Sequence, residues 1–189
     1  MELIEDLIFN KNNFTITSLP KGEYENCQFN NCDFSNSILS EVKFLDCEFL
    51  GCNLSLAKII KTAFRNVKFK DCKMLGLQFE NCNEFGLSFH FDTCNLNHSS
   101  FFQKKIKNTT FKNSQLHEVD FTECDLSGVV LDTCDLAGSK FENTNLEKAD
   151  FRTAFNYSIN PEKNRIKKAK FSILGIVGLL DNYDIVIEP

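Results

Sequence analysis

The sequence lacks tryptophan and has few residues that break or loosen structure, with 3 Pro and 8 Gly in 189 residues. Because disordered linkers are rich in such residues, this composition argues against a long disordered segment. No apolar run approaches the roughly 20 residues that a membrane-spanning helix needs. The first residues, which include Glu2, Glu5 and Asp6, lack the basic charge of a secretory signal. We therefore expect neither export nor membrane insertion, and we expect a cytoplasmic protein.

Motifs for chemistry are missing as well. The sequence contains no phosphate-binding loop, no GxGxxG pattern and no residue pair at metal-ligand spacing. The histidines, His90, His98 and His117, are dispersed and have no nucleophile at motif spacing. We expect no enzyme active site, no cofactor and no metal site.

Phenylalanine is present in excess, and most of the 20 Phe follow a period of five. Every fifth residue is large and apolar from Phe14 to Phe79, and again from Leu96 to Phe151. Neither an α-helix, with a period of about 3.6, nor a strand, with a period of about 2, holds such a repeat on one face. The chain must therefore coil on its own period, as a solenoid does.

The 9 cysteines obey the same register. Each lies two residues before a register position, in a slot that most other repeats fill with Ser, Thr, Ala, Val or Gly. The residues are Cys27, Cys32, Cys47, Cys52, Cys72, Cys82, Cys94, Cys124 and Cys134. A free cysteine behaves as a small hydrophobe in such a slot. We therefore predict buried, reduced thiols rather than disulfides or a zinc site, in keeping with a reducing cytoplasm.

Each repeat reads as a small residue, then Asp or Asn, then Leu or Phe, then two outward residues. Examples are CDFSN at 32–36, CDLSG at 124–128 and TNLEK at 144–148. Over roughly residues 9 to 153 this pattern resembles the pentapeptide repeat family, whose motif is A(D/N)LXX. The resemblance implies an all-β fold, a right-handed quadrilateral parallel β-helix with four pentapeptides per coil. Residues 20 positions apart should then stack in columns, with the small and central residues facing inward.

The register breaks between Phe79 and Leu96, where 17 positions replace the 15 of three repeats. The segment can follow the coil in two ways. In the first, Glu84 faces inward and Phe89 remains the central residue of a repeat. In the second, single-residue bulges bury Phe85 and Phe91. Since burying an unpaired carboxylate is costly, we prefer the second. This irregular segment, 83–93, is either a functional loop or a β-bulge that re-aims the chain. Its candidate site residues are Glu84, Phe85, His90, Phe91 and Asp92.

After residue 153 the motif fails, so we divide the chain into the repeat region 1–153 and a C-terminal segment 154–189. Asn160-Pro161-Glu162 predicts a helix start. Phe171 lies 20 residues after Phe151 and is expected to close the last coil. Ser172 is expected to cap a short helix. The apolar residues of that helix are Ile173, Leu174, Ile176, Val177, Leu179 and Leu180. We predict that one side of it covers the end of the rod and the other forms a homodimer, a monomeric cap being the alternative.

The net charge of -5 is unevenly distributed. Residues 1–57 and 113–160 are acidic, and residues 58–112 are basic through Lys58, Lys61, Arg65, Lys68, Lys70 and Lys73. Part of the acidity belongs to the Asp/Asn slot, where a carboxylate is expected to bond to the nearby backbone. Outward carboxylates accumulate toward the C-terminal end: Glu118, Asp120, Glu123, Asp125, Asp132, Asp135, Glu142, Glu147 and Asp150.

These carboxylates are the predicted partner-binding residues. The resemblance is strongest to the Qnr-type and microcin-immunity branches of the family, which implies a DNA mimic that binds DNA gyrase or topoisomerase IV. The alternative is a generic scaffold for an unrelated protein partner, acting through 83–93. Direct binding of nucleic acid is not expected, since the basic residues alternate with buried ones and no exposed aromatic platform accompanies them.

Overall fold

The computed structural model describes residues 2–183 and 185–188. The first residue of the predicted repeat region, 1, and the last residue of the predicted C-terminal segment, 189, lie outside the described residues. The chain forms a parallel β-solenoid of about seven turns, as predicted. Its strands are β1 Glu2–Glu5, β2 Ile8–Asn10, β3 Gly22–Glu25, β4 Gln28–Asn30, β5 Lys43–Leu45, β6 Glu48–Leu50, β7 Ala63–Arg65, β8 Val67–Lys70, β9 Phe89–Asp92, β10 Thr110–Lys112 and β11 Val130–Asp132. Short 3-10 helices span Phe79–Asn81, Leu174–Leu179 and Asp181–Tyr183. Among the described residues, no helix has the length and apolarity to cross a membrane.

The rod has four sides, which we number in chain order. Side 1 carries the sheet β1-β3-β5-β7, and side 2 carries the sheet β2-β4-β6-β8-β9-β10-β11. Sides 3 and 4 are ladders of single parallel bridges, such as Asn13 to Asp33 on side 3 and Ser100 to Asp120 on side 4. Partners are 20 residues apart except across the irregular segment, where Phe69 pairs with Phe91.

The core consists of stacked columns of inward side chains, as the 20-residue spacing predicts. On side 2, the ring centroids of Phe29 and Phe49 lie 4.7 Å apart, and those of Phe49 and Phe69 lie 5.0 Å apart. Columns on adjacent sides meet edge to face, as between Phe29 and Phe34 at 5.6 Å. Offset stacks and edge contacts are the favoured aromatic geometries. The excess of phenylalanine therefore supplies the aromatic columns of a four-sided interior, whose other buried apolar residues are mainly Leu, Cys, Val, Ile and Ala.

The corners of the coil use a left-handed backbone at the last residue of the repeat. Asn31 and Asn36 have φ of 52° and 57°, and Leu56 has 58°. Asparagine tolerates this region better than most residues, which explains its frequency there. The Asp/Asn slot supports the same corner, because the Asp33 carboxylate accepts a hydrogen bond from the Ser35 amide at 2.9 Å.

At the irregular segment, the predicted inward position of Phe91 is confirmed and that of Phe85 is wrong. Phe91 stacks between Phe69 and Phe111, at 5.4 and 5.0 Å, whereas Phe85 is 75% exposed. Phe89 is buried as well and lies in the small slot of β9, opposite Val67. Its ring contacts Phe79 at 5.4 Å and fills the space that side 1 loses where the chain turns outward. No further inward aromatic residue is needed, so Phe85 stays outside.

The coil continues past residue 153. The Phe171 ring stacks on Phe151 at 5.3 Å, which confirms its predicted place in the last coil. The predicted helix start at Asn160 is wrong, because residues 161–163 form a turn. There the Asn160 side chain accepts a hydrogen bond from the Glu162 amide at 2.8 Å. Asn164 then occupies the small inward slot and donates to the Phe141 carbonyl at 2.8 Å, which keeps the coil regular.

The predicted short helix closes the end of the rod as a 3-10 helix, Leu174–Leu179. The Ser172 hydroxyl accepts a hydrogen bond from the Gly175 amide at 3.0 Å, as expected for a cap. The Ile159 amide donates to the Gly178 carbonyl at 2.8 Å and ties the helix to the coil. Gly178 packs so closely on Tyr157 that a Cβ there would collide with the Tyr157 carbonyl oxygen.

Candidate interaction surfaces

The nine predicted carboxylates surround the rod instead of sharing one face. Glu147 and Asp125 lie on side 1, Asp132 and Asp150 on side 2, Glu118 and Asp135 on side 3, and Asp120, Glu123 and Glu142 on side 4. The repeat places every fifth residue on a new side, so residues that are close in sequence are separated in space. The expected acidic face is therefore an acidic belt, a name used below for these nine residues.

Most carboxylates of the acidic belt have a charged or imidazole partner. The ion pairs include Asp125 with Lys107 at 3.0 Å and Glu147 with Arg165 at 2.7 Å. The other pairs are Glu118 with His98, Asp135 with His117, Glu142 with Lys163, and Asp150 with Arg152 and Lys170. Partial burial raises the pKa of Asp125, but hydrogen bonds from Ser127 and Lys107 more than offset this, so its pKa lies below the ordinary value. Lysine and arginine partners therefore offset the charge of four carboxylates of the belt: Asp125, Glu142, Glu147 and Asp150.

Three members of the acidic belt lack an ion partner within residues 2–183 and 185–188. Asp120 accepts a hydrogen bond from the Thr122 amide at 2.8 Å. Glu123 accepts one from Gln103 Nε2 at 2.7 Å, and Asp132 accepts one from the Thr153 hydroxyl at 3.0 Å. No ion pair in the described part of the chain offsets the negative charge of these three carboxylates.

A second basic group follows the belt directly, and the sequence reading overlooked it. Its members are Lys163, Arg165, Lys167, Lys168 and Lys170. Charge along the rod therefore runs acidic, basic, acidic, basic. The run NRIKKAK shows these basic residues in the sequence. That Lys163 and Arg165 form ion pairs with Glu142 and Glu147 of the belt follows only from the way the coils stack.

The irregular segment divides its predicted residues between two places. Glu84 and Phe85 lie on an outward loop, 83–88, whereas His90 and Asp92 point outward from β9 on side 2. The loop is held by Lys104, whose Nζ lies 2.9 Å from Glu84 Oε1 and 3.3 Å from the Cys82 carbonyl oxygen. Arg65 stacks over the Phe85 ring at 4.9 Å. β9 pairs in unbroken register with β8 and β10, so the two extra residues lie in the loop 83–88 and not in a bulge of β9. A functional role of the loop stays a prediction.

Lys104 occupies an inward slot that elsewhere holds a small residue. It is 5% exposed, and the equivalent residues in adjacent coils are Cys82 and Cys124. A buried ammonium group needs a partner, and the loop supplies the Glu84 carboxylate. Sequence reasoning missed this residue, although a lysine in the small slot of a strict repeat is a signal in itself.

All nine cysteines are free and buried, as predicted. Burial raises the pKa of the Cys47, Cys124 and Cys134 thiols to about 12. Thiols with such pKa values are poor nucleophiles and poor metal ligands at neutral pH. Within the described part of the chain, no cluster of three or more His, Cys, Asp and Glu side chains is arranged to hold a metal ion.

The C-terminal cap exposes most of its predicted apolar residues. Ile173 and Leu174 are 90% and 91% exposed, and Ile176 and Val177 are about half exposed. Leu179 is buried against the coil, and Leu180 is half-buried. Three further apolar residues near the C-terminus, which the sequence analysis did not include, are exposed as well: Ile185, Val186 and Ile187.

Comparisons with known proteins agree with this architecture. A search of curated protein sequences found no match. Among solved structures, a trypsin-treated variant of QnrB1, described as a plasmid-mediated fluoroquinolone resistance protein, is 16% identical with a TM-score of 0.65, covering 100% of this chain and 99% of that one. HetL, a pentapeptide repeat protein involved in heterocyst differentiation regulation from the cyanobacterium Nostoc sp. strain PCC 7120, is 12% identical with a TM-score of 0.51, covering 90% and 84%.

At these identities the two structures share the fold with this chain and nothing finer. The sequence itself matches a family model, described as the pentapeptide repeat region, over residues 23–89 and 77–151. The matched ranges overlap and together span well over half of the chain. This protein therefore belongs to the pentapeptide repeat family.

Proposed function

We propose that the chain is a non-catalytic protein-interaction rod that binds a type II topoisomerase, DNA gyrase or topoisomerase IV, in place of DNA. The observation that carries the proposal is the acidic belt, which surrounds the rod as phosphates surround a duplex. A basic DNA-binding groove would meet carboxylates without a Lys or Arg partner on sides 2, 3 and 4, whereas both carboxylates of side 1 are ion-paired. The likeness to QnrB1, described as a fluoroquinolone resistance protein, supports the choice of partner.

Dimerisation through the C-terminal cap is part of the proposal. Ile173 and Leu174 expose nearly their whole side chains at the end of the rod. Burying such a strip against a second copy removes it from water and would place two acidic belts on one long rod. A DNA-binding enzyme that is itself two-fold symmetric could then contact both belts.

The test measures DNA supercoiling by purified gyrase and DNA cleavage by gyrase in the presence of a quinolone. We expect micromolar chain to change both. The belt variant reverses the three carboxylates that lack an ion partner, Asp120→Lys, Glu123→Lys and Asp132→Lys, and we expect it to be at least about tenfold less potent. The matched control, Glu5→Lys, Glu25→Lys and Asp46→Lys, makes the same charge change in the N-terminal coils. An inactive wild-type chain, or equal potency of both variants, would refute the proposal.

The second candidate function is a scaffold for an unrelated protein partner. The loop 83–88 favours it, because an aromatic side chain held by an arginine on a rigid coil is typical of an interface anchor. The gyrase assays separate the two candidates, because a scaffold for an unrelated partner should leave supercoiling and quinolone-induced cleavage unchanged. Phe85→Ala adds a test of the loop: if the belt alone binds gyrase, this variant should act on gyrase as the wild type does.

A further inference from the structure

A shallow groove runs across side 4 from its corner with side 3, in the basic part of the rod and away from the acidic belt. Its volume is about 370 Å³, and its wall includes Leu56, Ile60 and Gly76. Leu56 and Ile60 are 58% and 51% exposed, and the adjacent Ile38 is 59% exposed. Outward positions of this fold are mostly polar, so these three aliphatic side chains on side 4 and its corner form an exposed apolar patch.

Gly76 keeps this groove open. Its φ is +65°, and a Cβ at this position would lie 2.8 Å from Leu56 Cδ2. The Leu56 side chain therefore lies along the surface in the space that a side chain at position 76 would take. One wall of the groove is thus a flat aliphatic surface that a ligand can contact.

Two lysines of this groove region have no acidic partner in the described coils. Lys58 bridges to Ile38, and the next coil places Gln78 beside it on the same side. Lys61 lies one coil from Glu41, but Glu41 already pairs with Lys21 at 2.6 Å. Elsewhere the 20-residue column supplies a carboxylate, as for Lys43 with Glu23 and Lys68 with Glu48. Among the described residues, the groove wall therefore carries one lysine outside any ion pair, Lys58, and Lys61 lies beside the groove within electrostatic range of Glu41.

We propose that this groove binds an acidic amphipathic segment of a partner protein. Apolar side chains of the segment would contact Leu56 and Ile60, while its carboxylates would pair with Lys58 and Lys61. Nucleic acid would satisfy the lysines but would leave the aliphatic wall against phosphate. The basic DNA-binding groove of a topoisomerase would be repelled by the lysines. The proposed partner is therefore distinct from the partner of the acidic belt, and the proposal does not depend on the belt's function.

The experiment selects a display library of random short peptides against the immobilised full chain. We expect the enriched peptides to combine Asp or Glu with large apolar residues. Their affinity should fall at least about tenfold for the Lys58→Glu, Lys61→Glu variant and for Leu56→Asp. Aspartate suits the left-handed backbone at position 56, so Leu56→Asp is compatible with the fold. The matched control is Lys70→Glu, Lys112→Glu on side 2, which should bind the peptides as the wild type does.

The proposal would be overturned by the absence of any enriched peptide, by enriched peptides without acidic residues, or by peptides that bind the groove variants as tightly as the wild type. A lower mass of the Lys58→Glu, Lys61→Glu variant in sedimentation would show that a second copy occupies the groove, and would overturn it too. Melting temperatures report whether each variant is folded. If the charge reversal unfolds the chain, Lys58→Gln, Lys61→Gln replaces it and should still weaken binding.

Discussion

The ammonium group of Lys104 is buried, yet it lies 2.9 Å from the carboxylate of Glu84, whose side chain is 74% exposed. One charge of the pair is inside the rod and the other is on the loop 83–88. The Lys104 hydrogen bond lowers the pKa of Glu84 below its ordinary value. The pair therefore fastens the loop to the coil behind it.

Glu84→Gln should destabilise the protein, because the amide oxygen can still accept the Lys104 hydrogen bond but the negative charge that balances the buried ammonium group is lost. We expect a loss of about 1–3 kcal/mol in the free energy of unfolding. Lys104→Met removes the buried charge and should leave stability unchanged or higher. Chemical denaturation of both variants checks this, and equal stability of Glu84→Gln and the wild type would show that the pair does not hold the loop.

Phe91→Ala and Phe85→Ala test the path of the chain through the irregular segment. Phe91 is inside the stacked column of side 2, so its truncation should cost about 3–5 kcal/mol. Phe85 contacts chiefly Arg65 at the surface, and its truncation should cost less than about 1 kcal/mol. The reverse order of the two melting temperatures would mean that Phe85 is the buried residue.

The thiols should be inert in the folded protein. Because burial raises the pKa of Cys47, Cys124 and Cys134 to about 12, these groups stay protonated as the pH rises through the ordinary range of a cysteine. We expect Ellman's reagent to detect almost no thiol at pH 8 and all nine after denaturation. Rapid reaction of one thiol before unfolding would identify an exposed cysteine and contradict the repeat register.

Dimerisation should depend on the two most exposed residues of the cap. Ile173→Asp with Leu174→Asp should convert the dimer to a folded monomer, since both side chains lie outside the coil. Light scattering measures the mass, and the melting temperature serves as the folding control. Leu179 is unsuitable for this test because it is buried, so a charge there would disrupt the cap itself. A wild type that is already monomeric would refute the dimer.

The five-residue period predicts most of the fold, since each Phe or Leu centre and each cysteine slot has one possible place in the coil. It also predicts Phe171 in the last coil, 20 residues after Phe151. The threading around Phe85 could not be derived from it. Phe89 is buried in a slot that usually holds a small residue. It fits there because the chain turns outward at 83–88 and leaves space inside, and this space is known only from the packed structure.

The candidate surfaces were less predictable than the core. The sequence lists the carboxylates from Glu118 to Asp150, but their arrangement around four sides follows from the corner geometry. Their ion pairs with residues such as Arg165 could be predicted only by knowing which coils are adjacent. The groove at Leu56 combines residues from two sides with the absence of a side chain at Gly76, and no linear pattern indicates it.

Competition with DNA tests the central claim most directly. A fluorescent duplex bound to gyrase is titrated with the full chain, with the belt variant Asp120→Lys, Glu123→Lys, Asp132→Lys, and with the N-terminal charge-reversal control. We predict that the wild type and the control displace the duplex at micromolar concentration, and that the belt variant needs at least about tenfold more. Binding of the chain to gyrase without displacement of the duplex, or no binding at all, would contradict the proposal that it takes the place of DNA.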